Sequence, residues 1–321
     1  MKNIYIFMVL AFTIQFVSGQ NRIAERVSFK SGEETITGIL VKPTSDDNLP
    51  VVVFQQGSGN FAFEGYESEA WGPHKFYIED VLLAQGYAVL YCNKRGLGGS
   101  TGNWRKNDFY GRAADAYAAI EYLKTLPEID ANRIGVSGHS QGGWIAQIVA
   151  AKHDDVAFII CLAGPSVGVK DQIYSNDKFQ FECEGYEGDK LLRKIEKRKN
   201  SLDKSYKLGK SSGIIGAAKH LYLIFDYDND EVLKSIKCPT LLLFAEFDIN
   251  VDPKENIDHL NQIFENNIPN NIAVKTMPKG QHGFYKVENR CVPWDEAEKN
   301  DFDSNFQNQI KQWVSKLNYT N

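Results

Sequence analysis

Cysteine is scarce in this chain and odd in number: five among 321 residues, the first at Cys92. An odd count leaves at least one thiol unpaired, so no all-disulfide framework holds the fold. No cysteine or histidine spacing reads as a zinc site, and neither metal nor cofactor is expected. After Val17 no hydrophobic run approaches the roughly 20 residues that span a bilayer. No Pro/Gly/Ser-rich linker, internal repeat or low-complexity tract divides the chain. An excess of positive charge is missing too. The formal net charge is −5, which points to neither nucleic acid nor an anionic membrane as partner. What is left is a hydrophobic content of 43%, enough for one large domain with a sizeable core.

The N-terminus reads separately. Lys2 precedes an apolar stretch, Ile4 to Val17, which ends in Val17-Ser18-Gly19. Residues 1–19 resemble a secretory signal peptide cut near Gly19/Gln20. An uncleaved anchor is the alternative, but about fourteen apolar residues fall short of a span. No cysteine follows the run to carry a lipid. The expectation is export, secreted or periplasmic, of a mature chain 20–321 with no stable membrane span. Cys92 and Cys161 lie inside apolar runs and read as packed small hydrophobes. Cys183 and Cys291 have polar surroundings, and a bridge between them is left open.

Ala24 to Lys30 and Thr35 to Val41 alternate apolar and polar residues, as a half-exposed antiparallel pair would. Beyond Pro50 the runs become continuously apolar: Val51 to Phe54, Ala88 to Cys92, Ile134 to Val136, Val156 to Leu162, Thr240 to Ala245 and Ile272 to Met277. Such runs suit strands buried on both faces of a parallel sheet. Helical patterns separate them, at Tyr77 to Gln85, Arg112 to Leu126, Gly143 to Lys152, Pro253 to Glu265 and Asp295 to Leu317. This alternation predicts an α/β fold: a mostly parallel, doubly wound sheet of about eight strands. Residues 165–237 break the pattern with a polar, helical insertion after the sixth apolar run. It falls at the sheet edge where sites form, and could cover a pocket as a lid. Its charge run, Lys190 to Lys199, reads most simply as a solvated helix, a basic docking patch being the alternative.

Gly138-His139-Ser140-Gln141-Gly142 spells G-x-S-x-G between a strand-like run and a helix-like one. In that context it predicts a nucleophile elbow, a strained turn that lifts the Ser140 hydroxyl clear of the backbone. The same turn aims the Gln141 N–H toward the place where an oxyanion would form.

The elbow, the element order and the insertion together resemble the α/β-hydrolase superfamily, and within it esterase- and peptidase-like serine hydrolases. Supporting marks are Val51-Val52-Val53-Phe54-Gln55-Gln56-Gly57-Ser58-Gly59, Asn93-Lys94-Arg95-Gly96-Leu97-Gly98-Gly99-Ser100, and Asp130 to Gly135 leading into the elbow. The resemblance implies a triad in the order serine, acid, histidine. Ser140 supplies the first. Asp248, shortly after the run Thr240 to Ala245, matches the acid, with Glu246 and Asp252 as neighbouring alternatives. His282, in Lys279-Gly280-Gln281-His282-Gly283, matches the base. The other five histidines, His74, His139, His153, His220 and His259, read as surface or packing residues. The second oxyanion donor is implied in the loop after the third strand, at the Ser58 N–H, with Gly59 as alternative. Where many relatives carry histidine this chain has Gln56, which can orient that loop by hydrogen bonding. Arg95 is implied to be scaffold. Trp71, Phe61, Phe63 and Trp144 could line an acyl pocket, though core packing is the more ordinary role.

The activity implied is cleavage of a carboxylic ester through an acyl-enzyme, on a small-molecule ester or a short acyl or peptide substrate. An aminopeptidase or acyl-peptide hydrolase with the same triad is the first alternative. A non-catalytic binding protein of the same fold is the second. Oligomeric state is not encoded in these patterns.

Overall fold

The computed structural model describes residues 22–44, 48–63, 78–212, 217–297 and 302–317. The expected signal segment 1–19, Trp71 and His74 lie outside the described residues. Strand β1 (Arg22–Ser31) turns through Gly32 into β2 (Glu34–Pro43), an antiparallel hairpin in register from Arg22↔Pro43 to Ser31↔Glu34. Then come β3 (Leu49–Gln55), helix α1 (Asp80–Leu83), β4 (Ala88–Cys92), α2 (Phe109–Leu123), β5 (Ile129–His139), α3 (Gln141–Lys152) and β6 (Ile159–Leu162). After the insertion follow β7 (Thr240–Ala245) and β8 (Ile272–Met277).

The eight strands form one sheet in the order β1-β2-β4-β3-β5-β6-β7-β8. Only the β1–β2 and β2–β4 pairs are antiparallel; β4 through β8 run parallel. Strands β3, β4, β6 and β7 are buried along their whole length, which is why they lack the alternation seen in β1. Their successive side chains serve opposite faces. Val51 and Val53 pack with Ala116, Ile120, Ile145 and Ile148 of α2 and α3. Val52 and Phe54 pack on the other face with Leu82 of α1. Each side chain so buried contributes about 1.5–3 kcal/mol over exposure. The chain leaves β3 toward β4 on one side and β5 lies on the other. The crevice at the carboxyl ends of β3 and β5 is therefore a topological switch point.

The insertion between β6 and β7 carries α4 (Val169–Cys183), α5 (Gly188–Ser212), α6 (Ala217–Ile224) and α7 (Asp230–Ser235). The run Lys190 to Lys199 lies on α5, mostly exposed, with Lys194 paired to Glu184 and Arg198 to Asp177. Cys183, ending α4, is disulfide-bonded to Cys291, with Cα atoms 5.2 Å apart. Cys92 and Cys161 are buried free thiols.

Several boundaries depart from the sequence pattern for local reasons. The helix expected from Arg112 begins at Phe109, because the Asp108 side chain caps it by accepting from the Gly111 N–H. Helix α8 (Pro253–Ile263) is opened by Asp252, which accepts from Glu255 N–H. The single helix expected from Asp295 to Leu317 is instead α9 (Trp294–Ala297) and α10 (Ser304–Val314). Phe302 forms a β-bridge with Tyr285 and Asp303 caps Asn305, so the chain restarts its helix there. The strand expected from Val156 is confined to Ile159–Leu162.

Candidate active site

Ser140 stands between β5 and α3 with φ 54° and ψ −125°. A non-glycine residue at such a φ costs about 1–3 kcal/mol and persists only where its surroundings impose it. The neighbours impose it here. Ser140 N–H donates to Leu162 O at 2.9 Å, and its carbonyl accepts from Gly143 N–H at 2.8 Å. A Cβ on Gly138 would meet Gly142 O at 2.0 Å, and one on Gly142 would meet Gln55 O at 2.1 Å. Gly138 is thus required for the elbow to fold back on itself, and Gly142 for it to pack against β3.

Asp248 follows β7 and is completely buried. Its Oδ1 accepts the N–H groups of Asn250 and Val251 at 2.8 and 2.9 Å. Its Oδ2 lies 2.7 Å from His282 Nδ1. With the carboxylate as acceptor, Nδ1 carries the imidazole proton and Nε2 presents its lone pair. The alternatives to Asp248 are engaged elsewhere: Glu246 accepts from Lys279 N–H at 2.7 Å, and Asp252 caps α8.

His139 does more than the sequence suggested. Its Nε2 lies 3.0 Å from His282 O and the two rings are 4.9 Å apart. The residue preceding Ser140 thereby holds the His282 loop against the elbow. Among the other histidines, His153 stacks on Tyr117 and His259 Nε2 lies 2.9 Å from Asp230. His220 of α6 packs edge-on against Trp104 at 5.4 Å, its Nδ1 buried without a partner. Burial, then the charges of Arg112 and Lys94, push its pKa down to about 4.

On the other side of Ser140 lies the loop after β3. A Cβ on Gly57 would sit 3.2 Å from Ser140 Cβ and 3.7 Å from its Oγ, so this backbone approaches the serine closely. Lys94 Nζ, buried behind the loop, donates to Gly57 O at 2.6 Å and also to Gly59 O. Arg112, buried on α2, donates to Gln56 O at 2.8 Å and to Gln141 Oε1 at 2.5 Å. The Gln56 side chain is buried with neither amide atom hydrogen-bonded, so it is Arg112 and Lys94 that hold this loop. Neither was singled out from sequence.

Arg95 is scaffold. It forks onto Asp115 at 2.9 and 2.7 Å, and Asp115 also accepts from Ser31 and Asn107. Trp144 is core, its Nε1–H donating to Val167 O at 2.9 Å. Phe63 is fully buried 5.2 Å from Tyr91, while Phe61 is partly exposed beside it. Helix α4 grips the Asp248 loop: Gln172 donates to Asn250 O at 2.6 Å and Asn176 to Ile249 O at 3.0 Å. Among the described residues no three of His, Cys, Asp and Glu stand together as a metal site, and no helix is long and apolar enough to cross a membrane.

Residues 36–223, more than half of the chain, match the X-Pro dipeptidyl-peptidase (S15) family of peptidases. Dipeptidyl-peptidase 5 of Porphyromonas gingivalis is 27% identical over 129 residues, covering 38% of this chain and 18% of that protein. The quorum-quenching protein AidA of Acinetobacter baumannii is 30% identical over 135 residues, 42% of this chain and 41% of the relative. The chain thus spans less than half the length of either. Among solved structures, acetyl xylan esterase 1 of Thermoanaerobacterium superposes with a TM-score of 0.58 at 16% identity, covering 96% of this chain and 87% of that one. This likeness shows the α/β-hydrolase fold. The chain has the α/β-hydrolase fold and belongs to the X-Pro dipeptidyl-peptidase (S15) family.

Proposed function

We propose that the protein hydrolyses a carboxylic ester of a small molecule through an acyl-enzyme on Ser140. The observation that carries this reading is the 2.7 Å contact of buried Asp248 with His282 Nδ1, on a loop that His139 ties to the strained Ser140. His282 Nε2 takes the hydroxyl proton as Ser140 Oγ bonds to the acyl carbon. Asp248 holds the tautomer and stabilises the imidazolium. The Gln141 and Ser58 N–H groups receive the tetrahedral oxyanion. As the carbon–oxygen bond to the leaving group breaks, His282 returns its proton to the departing alkoxide. Water then attacks the acyl carbon, giving its proton to Nε2. Collapse of the second tetrahedral species breaks the carbon–Oγ bond, and the proton returns to Ser140.

An ester is favoured over a peptide with a free amino terminus because a buried guanidinium stands beside the oxyanion loop. Arg112 would repel a substrate ammonium held nearby. Family membership and the likeness to dipeptidyl-peptidase 5 support a second reading, an aminopeptidase or acyl-peptide hydrolase with the same triad. We further infer that helices α4 to α7 act as a lid and that the protein is exported; a disulfide between Cys183 and Cys291 suits an oxidising compartment.

A panel of p-nitrophenyl esters of rising chain length, run beside aminoacyl p-nitroanilides, tests substrate class. Ester turnover exceeding anilide turnover is expected; the reverse order supports the peptidase. A fluorophosphonate probe should label Ser140, and no labelling of the folded protein would sink both readings in favour of a non-catalytic binding role.

A further inference from the structure

A backbone carbonyl and the N–H that follows it belong to one planar unit and point in opposite directions, so holding one aims the other. The Gly57 carbonyl shares its plane with the Ser58 N–H, and the Gln56 carbonyl with the Gly57 N–H. Both carbonyls are held by buried cations, Lys94 at 2.6 Å and Arg112 at 2.8 Å. Arg112 also fixes the side chain of Gln141, the residue whose N–H is the other donor. We propose that Lys94 and Arg112 are positioning residues of the oxyanion hole: they aim the Gly57 and Ser58 N–H groups and lock the Gln141 turn, and Arg112 keeps a positive charge behind the developing oxyanion. This rests on Ser140 being the nucleophile.

A buried cation that serves only packing normally carries its own carboxylate partner. Lys94 and Arg112 instead donate to neutral acceptors, three backbone carbonyls and one amide. Asp115, the acid that acts on Arg112, is already forked by Arg95. The cost of this arrangement is visible in both groups. Burial, with Arg112 adding to it, holds the Lys94 ammonium well below its ordinary pKa, and burial brings Arg112 down to about 10. In a site of low dielectric the Arg112 charge, to which no carboxylate is hydrogen-bonded, acts on whatever negative charge forms beside it, while Lys94 acts through its two hydrogen bonds. Aiming by peptide planes also explains how the loop keeps its shape although the Gln56 amide bonds to nothing.

The test compares the Ki of a trifluoromethyl ketone, whose adduct with the serine carries an oxyanion, with KM for the matching p-nitrophenyl ester. Lys94→Met and Arg112→Met should each lower kcat and weaken the ketone by about 10- to 100-fold, while KM stays within about threefold. In a folded variant, a Ki/KM ratio equal to the parent's overturns the proposal. If a methionine variant does not fold by circular dichroism, Lys94→Arg and Arg112→Lys decide by the same ratio, since they keep a donor at the position and change its reach and fork. Ser140→Ala separates the two layers. Continued ester turnover in that variant defeats the nucleophile assignment. An inactive Ser140→Ala beside cation variants with the parental ratio removes only the positioning role.

Discussion

The two sides of Ser140 are built in opposite ways. On the side of the proposed acid and base one side-chain pair carries the function, Asp248 Oδ2 to His282 Nδ1, on loops after β7 and β8 that His139 and α4 brace. On the oxyanion side, four hydrogen bonds from Lys94 and Arg112 spread the task over Gln56, Gly57, Gly59 and Gln141. Each side is therefore vulnerable in its own way. A linear arrangement fails at any one member, whereas a distributed one degrades in steps.

The largest effect should fall on the linear side. Ser140→Ala and His282→Ala are expected to lower kcat by at least about 10⁴-fold with the fold intact, read by p-nitrophenyl ester turnover and circular dichroism. Asp248→Asn should cost about 10³- to 10⁴-fold by leaving the wrong imidazole tautomer, and Glu246→Gln should stay within a few-fold. The opposite pattern would move the acid to Glu246.

On the distributed side the loss should be partial. Gln141→Ala keeps the backbone N–H but removes an acceptor of Arg112, and a fall in kcat of about tenfold is expected. A loss as deep as that of Ser140→Ala would erase the contrast between the sides.

Replacing Cys183 and Cys291 together by serine should lower stability by about 2–4 kcal/mol in thermal or denaturant unfolding. The release loosens α4 where it grips the acid's loop. Turnover should therefore suffer more than ketone affinity relative to KM.

The smallest effect concerns His220 beside the two cations. Its folded pKa is about 4 against an ordinary 6.5. Between those values the unfolded chain binds a proton that the folded one refuses, so stability present above about pH 6.5 is lost as pH falls toward 4. His220→Gln should flatten the decline of Tm between pH 7 and 5; an unchanged decline would mean that His220 does not titrate this way.

Much of the candidate acid–base side was legible in the sequence because its signals are local. The pentapeptide at Ser140, the buried run before Asp248 and the loop around His282 each sit at a strand's carboxyl end. Of the proposed oxyanion side the sequence suggested only Gln141 and Ser58. Lys94 reads as an ordinary charge after an apolar strand, beside the more conspicuous Arg95. Arg112 was hidden by one turn of helix: starting the helix at Arg112 makes it a terminal, solvated cation. The Asp108 cap moves the start to Phe109 and turns Arg112 onto the buried stripe with Ala113, Ala116 and Ala119. Both cations act on backbone carbonyls, and no pattern of side chains encodes such partners. The Cys183–Cys291 bond, across 108 residues, depended on where α4 meets the segment after β8.

That bond also draws a boundary through the site. Asp248 and His282 lie between its two cysteines, inside a closed covalent ring that includes α5, α6 and α7, while Ser140 and the oxyanion loop lie outside. A protease clipping the exposed length of α5 would therefore cut a ring and not a thread. The chain would hold together after one such nick, with its acid and base still fastened to the half that carries the serine.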